Sequence, residues 1–376
     1  MSANSKIGTW SYNNPVNIVS GTGYQNTLKM LKLNGTVLLV TSQSFKKRGI
    51  VDVIKSIFLS AKVLCYDQVC ANPTAEKIKN IAKEFKDETV DYIIALGGGS
   101  VIDTAKVLSV IINEKDEDFL EKLLKNNAIL DDRQAVKLIA IPTTAGTGSE
   151  ATPFATVWDF AEKKKQSIDH SKLYPWRAIL DESLTLSLSY NQTLFTGLDA
   201  ISHAMESLWN INANPISRMY SCEALKIAIR VFRELLENLE IIKLRKEMQL
   251  ASFLSGMAIS QTRTAIAHSI SYPLTYNYNV PHGLASSFTL EAISRKVQEY
   301  KVLNADEQII LDESVVLLQQ LPIKKMIREY LSLTKAMGLL NEMYHPARMK
   351  NFILKLSVLE LKQILVSSYN DKNENV

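Results

Sequence analysis

YIIALGGGSVIDTAK (92–106) joins an apolar run to three consecutive glycines and then to a segment with helical periodicity. A short, continuously apolar run bounded by turn residues reads as a strand buried on both faces of a sheet. The glycines read as a tight strand-to-helix turn where backbone can approach a ligand closely. A helix opening there presents free N–H groups and a positive dipole end to an anion, and Ser100 can both cap the helix and donate to a phosphate oxygen. A bare GGGS is more often a plain turn than a phosphate cradle, so the neighbouring segments decide.

The same rhythm runs through the first half. TVLLV (36–40), KVLCY (62–66) and VKLIAI (136–141) are further strand runs, and helical patterns cover roughly 45–59, 74–86 and 100–113. Alternating strands and helices predict an open parallel sheet with helices on both faces, which binds ligands at the carboxyl ends of its strands. The loops after 40, 66, 96 and 141 are therefore expected at a site. One of them, IPTTAGTGSEATPFATVWD (141–159), carries Thr143, Thr144, Thr147 and Ser149 beside Gly146 and Gly148. Hydroxyls and bare backbone in two adjacent strand exits suit the phosphates and riboses of a dinucleotide.

After about 182 the texture changes to long helical periodicities at 193–211, 214–239, 244–260, 262–271 and 283–299, with further pieces to 368. The expected architecture is α/β: a dinucleotide-binding parallel-sheet domain over 1–182 and an all-helical metal-binding and substrate domain over 183–376. EKDEDFLEKLLKNN (114–127) reads as a solvated helix or loop. In the helical half, Asp199 and His203 lie four apart in GLDAISHAMES (197–207), on one helix face. His268 follows in TRTAIAHSISYP (262–273) and His282 in VPHG (280–283). One carboxylate and three imidazoles form a donor set that suits Fe(II) or Zn(II).

Composition narrows the class. Of 376 residues, 46% are hydrophobic and 22% charged, and Lys+Arg minus Asp+Glu is 43 − 39 = +4, too slight and dispersed for a nucleic-acid partner. Cys65, Cys70 and Cys222 show no paired spacing, so a disulfide framework is not expected and a cytoplasmic location is. The polar start MSANSKIGTWSYNNP lacks the apolar run of a signal peptide, and no stretch approaches the ~20 apolar residues of a membrane span. Apolar faces on the C-terminal helices suit self-association, and a homodimer is expected.

GGGSVIDTAK, PTTAGTGSE, LDAISHAMES, AHSISYP and VPHG, in this order and spacing, resemble the iron-dependent (group III) alcohol dehydrogenases from about Gly21 to Phe288 and more faintly to Tyr369. This is not the usual G-x-G-x-x-G fingerprint. The resemblance implies a Rossmann-like N-terminal domain, a helical metal-binding domain as in the dehydroquinate synthase-like fold, and a nicotinamide cofactor in the cleft between them. It matches metal ligands to Asp199, His203, His268 and His282. Phosphate contacts match Gly97, Gly98, Gly99 and Ser100, and hydroxyl contacts match Thr143, Thr144 and Thr147. Asn72 matches the loop lining the adenosine side, and Lys165 a lysine close to the nicotinamide ribose.

Two positions depart from the family pattern. Where many relatives carry an aspartate against the adenosine ribose, Ser42 stands, so the repulsion of a 2′-phosphate is absent and both NADH and NADPH remain, with Lys46 or Lys47 as aids to the latter. Where many relatives carry a further histidine, Tyr272 stands. It can hydrogen-bond substrate or pass a proton, although a pKa near ~10 makes it a poorer base; a packing tyrosine is the equal alternative.

Arg263 precedes His268 by five residues, little more than one helical turn. A guanidinium there would hold a carboxylate, phosphate or phosphonate by paired hydrogen bonds. Equally weighted is an arginine paired with a structural carboxylate such as Glu206 or Glu150. TPFATVWD (152–159), NANPISRMYSCEAL (212–225), ISQTRTAIAHSISYPLT (259–275) and VPHGLASSFTL (280–290) resemble the phosphonoacetaldehyde reductases within the family. That resemblance implies a small anionic aldehyde as substrate and reduction of phosphonoacetaldehyde to 2-hydroxyethylphosphonate. The rivals are another substrate of the same family (lactaldehyde, a short diol, a maleylacetate-like acid), a dehydroquinate-synthase-like lyase, and a metal-dependent scaffold.

Overall fold

Each apolar run of the first half forms a strand. The computed structural model describes residues 9–21, 23–125, 130, 135–159 and 164–370. It divides into two units, one of Asn14–Ser187 and one of Leu188 onward together with the chain up to Asn13. The division thus falls slightly beyond the change of texture.

The first unit contains β1 (Asn17–Ser20), β2 (Gly35–Val40), β3 (Ala61–Tyr66), β4 (Tyr92–Gly97), β5 (Lys137–Pro142), β6 (Phe154–Asp159), β7 (Lys164–Asp169) and β8 (Arg177–Leu180). Six of them form a parallel sheet in the order β1-β8-β5-β4-β2-β3. The helices are α1 (Tyr24–Leu31), α2 (Gln43–Lys47), α3 (Ile50–Ile57), α4 (Ala75–Glu84), α5 (Gly99–Ile111) and α6 (Phe119–Leu124). Alternation along the strands sorts the core into two layers. Leu38, Val40, Ile93, Ala95, Leu138 and Ala140 pack with α4 and α5 on one face. Val37, Leu39, Ile94, Leu96, Ile139 and Ile141 pack with α1 and α3 on the other.

This arrangement fixes where a ligand can sit. The helix after β4 covers one face, while those after β2 cover the opposite face. Since β2 and β4 are neighbours in the sheet, their carboxyl ends flank the switch point at which open α/β sheets bind ligands. Thr41, just past β2, donates its hydroxyl to the Leu96 carbonyl at 2.7 Å and ties the two ends together.

Several elements differ from the sequence reading. The segment 45–59 breaks into two helices because Gly49 adopts a left-handed φ of 74°. The charged 114–127 stretch contains α6, whose Phe119, Leu120 and Leu123 are buried in the core. β1 and β8 are only four residues each, too short to show a period. β6 lies within what read as the hydroxyl-rich loop 141–159 and pairs antiparallel with β7.

The second unit is helical: α7 (Tyr190–Leu208), α8 (Pro215–Glu237), α9 (Ile242–Thr262), α10 (Ile266–Tyr278), α11 (His282–Ser287), α12 (Leu290–Glu299), α13 (Ala305–Gln319), α14 (Ile323–Tyr330), α15 (Leu333–Gly338), α16 (Leu340–Met343), α17 (Pro346–Met349) and α18 (Val358–Tyr369). The α7 N-terminus is set by a reciprocal Ser189–Gln192 capping box and that of α8 by Asn214 followed by Pro215. Among the described residues no helix is long and apolar enough to cross a membrane.

Candidate metal centre and nucleotide loops

α7 carries Asp199 and His203 one turn apart, both buried. Asp199 Oδ1 lies 3.7 Å from His203 Nε2, 3.6 Å from His268 Nε2 and 3.8 Å from His282 Nε2. The His203 and His268 rings stack with centroids 4.9 Å apart, and His282 meets His268 edge-on at 5.2 Å. Metal bonds of about 2.1 Å in a tetrahedron separate donor atoms by roughly 3.4 Å. Asp199, His268 and His282 each bring a donor atom within 4.8 Å of the other two, which fits one divalent ion, and His203 stands beside them, its Nε2 close to Asp199. Burial alone would raise the Asp199 carboxyl, but the surrounding imidazoles outweigh it and hold the group well below the usual carboxylate range. An anion fixed among three imidazoles is the charge state that a metal site needs.

Glu206, on the same helix, completes the centre. It is fully buried, and its Oε2 accepts a hydrogen bond from His268 Nδ1–H at 2.6 Å. The same carboxylate accepts the backbone N–H groups of Ala265 (3.0 Å), Ala267 (2.5 Å) and His268 (3.3 Å), the otherwise open donors at the start of α10. Pinning Nδ1–H to a carboxylate leaves Nε2 as the lone-pair side of the ring, turned toward Asp199. That Nε2 is buried and makes no hydrogen bond, as a metal-binding nitrogen should. Burial disfavours the His268 imidazolium, yet Glu206 and Asp199 raise its pKa to about 9 in the ion-free protein, so a cation would take Nε2 by displacing its proton. Sequence reading weighed Glu206 only as a partner for Arg263; the structure engages it with His268 and the helix amides. Beside His282, a Cβ on Gly283 would overlap the Phe195 carbonyl oxygen, so glycine is what lets α11 lie against α7.

Arg263 terminates α9 with φ 66° and ψ 174°, and its Nη1 donates to the Ser260 carbonyl at 2.7 Å. Tyr272 follows His268 by one turn of α10. Its hydroxyl accepts from Arg348 Nε at 3.0 Å, and its ring meets His345 edge-on at 5.7 Å. Neither Arg348 nor His345 stood out in the sequence, because they come from the far C-terminal stretch around α17.

In the first unit, Gly97 closes β4 and α5 opens at Gly99. Asn72, in left-handed conformation at φ 57°, donates its N–H to Ser100 Oγ at 3.2 Å. Thr143 N–H donates to the Gly97 carbonyl at 3.1 Å. A Cβ on Gly98 would sit 3.1 Å from the Thr144 side chain, and one on Gly99 would sit 2.7 Å from that of Thr147. The exits of β3, β4 and β5 thus bring Asn72, Gly97, Gly98, Gly99, Ser100, Thr143, Thr144 and Thr147 together. Ser42 precedes α2 at the β2 exit, its Oγ 3.0 Å from that of Ser44. Lys46 forms an ion pair with Asp67 at 2.5 Å. The backbone of Lys165 pairs with Trp158 in the hairpin, while its side chain lies outside the described residues.

Behind these loops lies a buried ionic cluster that the sequence reading missed. Lys106 is fully buried on α5 and donates to Thr152 Oγ1 (3.0 Å) and the Phe154 carbonyl (2.9 Å). Asp103, one turn earlier, accepts from Ser149 Oγ (2.6 Å) and Thr156 N–H (2.9 Å). Together they clamp the 149–156 segment against α5 and so hold the hydroxyl loop against the glycines. Burial pushes the Lys106 ammonium down to about 8 and the neighbouring Glu150 carboxyl up to about 7. The D-x-x-K spacing after GGGS was the available signal.

Comparison with known proteins accords with this geometry. Residues 15–182 match the family described as iron-containing alcohol dehydrogenase, and 193–352 match the C-terminal part of the Fe-containing alcohol dehydrogenase family. The chain is 33% identical over 226 residues to a phosphonoacetaldehyde reductase of Streptomyces viridochromogenes, covering 59% of this chain and 57% of that protein. The match thus spans less than two thirds of that relative's length. It is 32% identical over 265 residues to a sulfoacetaldehyde reductase of Bilophila wadsworthia, covering 70% of this chain and 67% of that protein. The crystal structure of a sulfoacetaldehyde reductase from Bifidobacterium kashiwanohense in complex with NAD+ shares the fold, with a TM-score of 0.86 at 22% identity over 98% of this chain and 100% of that one. With both of its units matched, the chain belongs to the iron-containing alcohol dehydrogenase family.

Proposed function

We propose that the chain is a metal-dependent nicotinamide oxidoreductase that reduces a small anionic aldehyde to a primary alcohol. The substrate we assign is phosphonoacetaldehyde, giving 2-hydroxyethylphosphonate in phosphonate biosynthesis. The observation that carries this reading is the closeness in the chain of Arg263 to His268, on the turn between α9 and α10. Fe(II) or Zn(II) bound by Asp199, His203, His268 and His282 would supply Lewis acidity to the carbonyl oxygen. Glu206 orients His268, and the Arg263 guanidinium pairs with the phosphonate through parallel charged hydrogen bonds. Two relatives are named for aldehydes bearing a phosphonate or a sulfonate, which supports an anionic group on the substrate. The glycine and threonine loops cradle the dinucleotide. We assign NADH as hydride donor, because Lys46, which could have aided a 2′-phosphate, is already paired with Asp67.

The test is a steady-state comparison of phosphonoacetaldehyde, sulfoacetaldehyde and propanal with NADH and NADPH, for the native protein and Arg263→Ala. Charged hydrogen bonds contribute roughly 1.5–3 kcal/mol, so the variant should lose kcat/KM for phosphonoacetaldehyde by about 10- to 100-fold more than for propanal. Equal losses on the two aldehydes, or a native preference for propanal, would overturn the assignment. A native preference for the sulfonate would move the substrate but keep the role of Arg263.

A further inference from the structure

We infer that Asn210 and Asn351 are positioning residues that hold the Arg263 backbone in a strained conformation, so that anion selectivity is set by a frame outside the binding residues themselves. This inference rests on the reading of Arg263 given above. A φ of 66° with ψ of 174° belongs to a region that is essentially reserved for glycine. Such a conformation persists only where its surroundings over-determine it, and such residues cluster at ligand clamps. If this turn needed only to end α9 and start α10, glycine would adopt it without strain. An arginine held there points to a use for its side chain.

The surroundings do over-determine it. The Arg263 carbonyl accepts from Asn210 Nδ2 at 3.1 Å and from Thr262 Oγ1 at 3.0 Å. The next carbonyl, of Thr264, accepts from Asn351 Nδ2 at 2.9 Å. On one side the Arg263 N–H closes the last turn of α9 on Ile259. On the other the Ala265 N–H is taken by Glu206. Both asparagines are buried, and they come from segments stitched into an antiparallel bridge. Ile211 N–H donates to the Asn351 carbonyl at 2.9 Å, and Ile353 N–H donates to that of Trp209 at 3.0 Å. The fully buried Trp209 ring meets Phe352 edge-on at 6.5 Å and stiffens the bridge from behind. Two consecutive carbonyls gripped by amides from a braced bridge leave the turn no slack.

The Nη1 contact with the Ser260 carbonyl offers a purely structural alternative, in which Arg263 caps α9. The two are separated by Asn351→Ala and Asn210→Ala, assayed with phosphonoacetaldehyde and propanal and with bound metal measured. A loosened frame should raise KM for phosphonoacetaldehyde on the order of tenfold, the scale of misplacing a binding group, with kcat, metal content and KM for propanal changing by less than about twofold. Parallel losses on both aldehydes, or loss of metal, would overturn the inference. Arg263→Gly supplies a second readout even if either asparagine variant folds poorly. Relief of strain should raise Tm while the preference for the phosphonate falls; a lowered Tm would refute the strain. If Arg263→Ala itself leaves phosphonate selectivity intact, the proposed function fails with it. If Arg263→Ala matters and the asparagine variants do not, only this inference fails.

Discussion

Glu206→Gln is the sharpest perturbation of the proposed metal centre, because it removes a charge and one acceptor without changing shape. Oε2 serves His268 Nδ1 and the Ala265 N–H, while Oε1 serves the N–H groups of Ala267 and His268. A glutamine keeps one oxygen, so one of these two pairs must face an NH2 group. The side chain is fully buried, and water cannot compensate. Backbone donors cannot change, but an imidazole can: turning the NH2 toward Nδ1 forces His268 into its Nε2–H tautomer. The proton then points at Asp199, where the lone pair should be. Losing an outer-shell partner of this kind lowers metal affinity about 10- to 100-fold, or roughly 1.4–2.7 kcal/mol. The stranded Ala265 N–H adds about 1–3 kcal/mol of destabilisation to the metal-free protein. The assay is equilibrium competition for Zn(II) and Fe(II) against a chelator, with thermal unfolding of the metal-free forms alongside. A variant with a lowered Tm but metal affinity within about twofold of native would reduce Glu206 to a helix cap and refute the reasoning.

Two further outcomes concern the first unit. Gly99→Ala places a methyl 2.7 Å from Thr147 and displaces the hydroxyl loop, so NADH affinity read by fluorescence titration should weaken on the order of tenfold; an unchanged Kd would remove this contact from the nucleotide site. Lys106, pushed by burial from 10.5 to about 8, keeps its proton in the unfolded chain to higher pH than in the folded one, so stability should rise between about pH 8 and 10.5, by about 3 kcal/mol in all. Glu150, raised by burial from 4.5 to about 7, has the opposite sense: stability is greatest below 4.5 and falls as pH climbs to about 7. Denaturation across pH should show the upper segment flattened in Lys106→Met and the lower one in Glu150→Gln; unaltered slopes would show that these groups do not titrate as their burial demands.

What was legible in the sequence was what repeats locally. The split of Val37, Leu39 from Leu38, Val40 between two cores follows from strand alternation alone, and so does the sheet. The glycine and threonine loops announced themselves because both follow such strands. The four proposed ligands emerged only as a set, since His268 and His282 have no local pattern in common with Asp199. What stayed hidden lies in long-range pairing. Glu206 meets His268 across 62 positions, and Asn351 meets Thr264 across 87. Neither a period nor a propensity encodes such contacts. Nor does arginine signal a left-handed φ; its side chain suggested anions, and only the backbone of the folded chain adds that it is held under strain.

One regularity was nevertheless in plain view. Asp199, His203, Glu206 and Asn210 are spaced by four, three and four residues, the stripe that faces one way from a helix. All four are buried, on the side where a helix ordinarily presents apolar residues to a core. Buried polar groups are costly unless paired, and a row of them needs a partner for each. Here all four converge on the single stretch from Arg263 to His268: Asn210 grips the Arg263 carbonyl, Glu206 the amides and ring that follow, Asp199 faces the imidazole at its end, and the His203 ring stacks on that imidazole. A displacement of α7 would therefore shift Asp199 and His203, two of the proposed metal ligands, together with the turn that carries Arg263. Arg263 itself lies on the turn between α9 and α10, and the grip of Asn210 and Glu206 on that turn would keep the proposed anion contact in register with the proposed metal ligands.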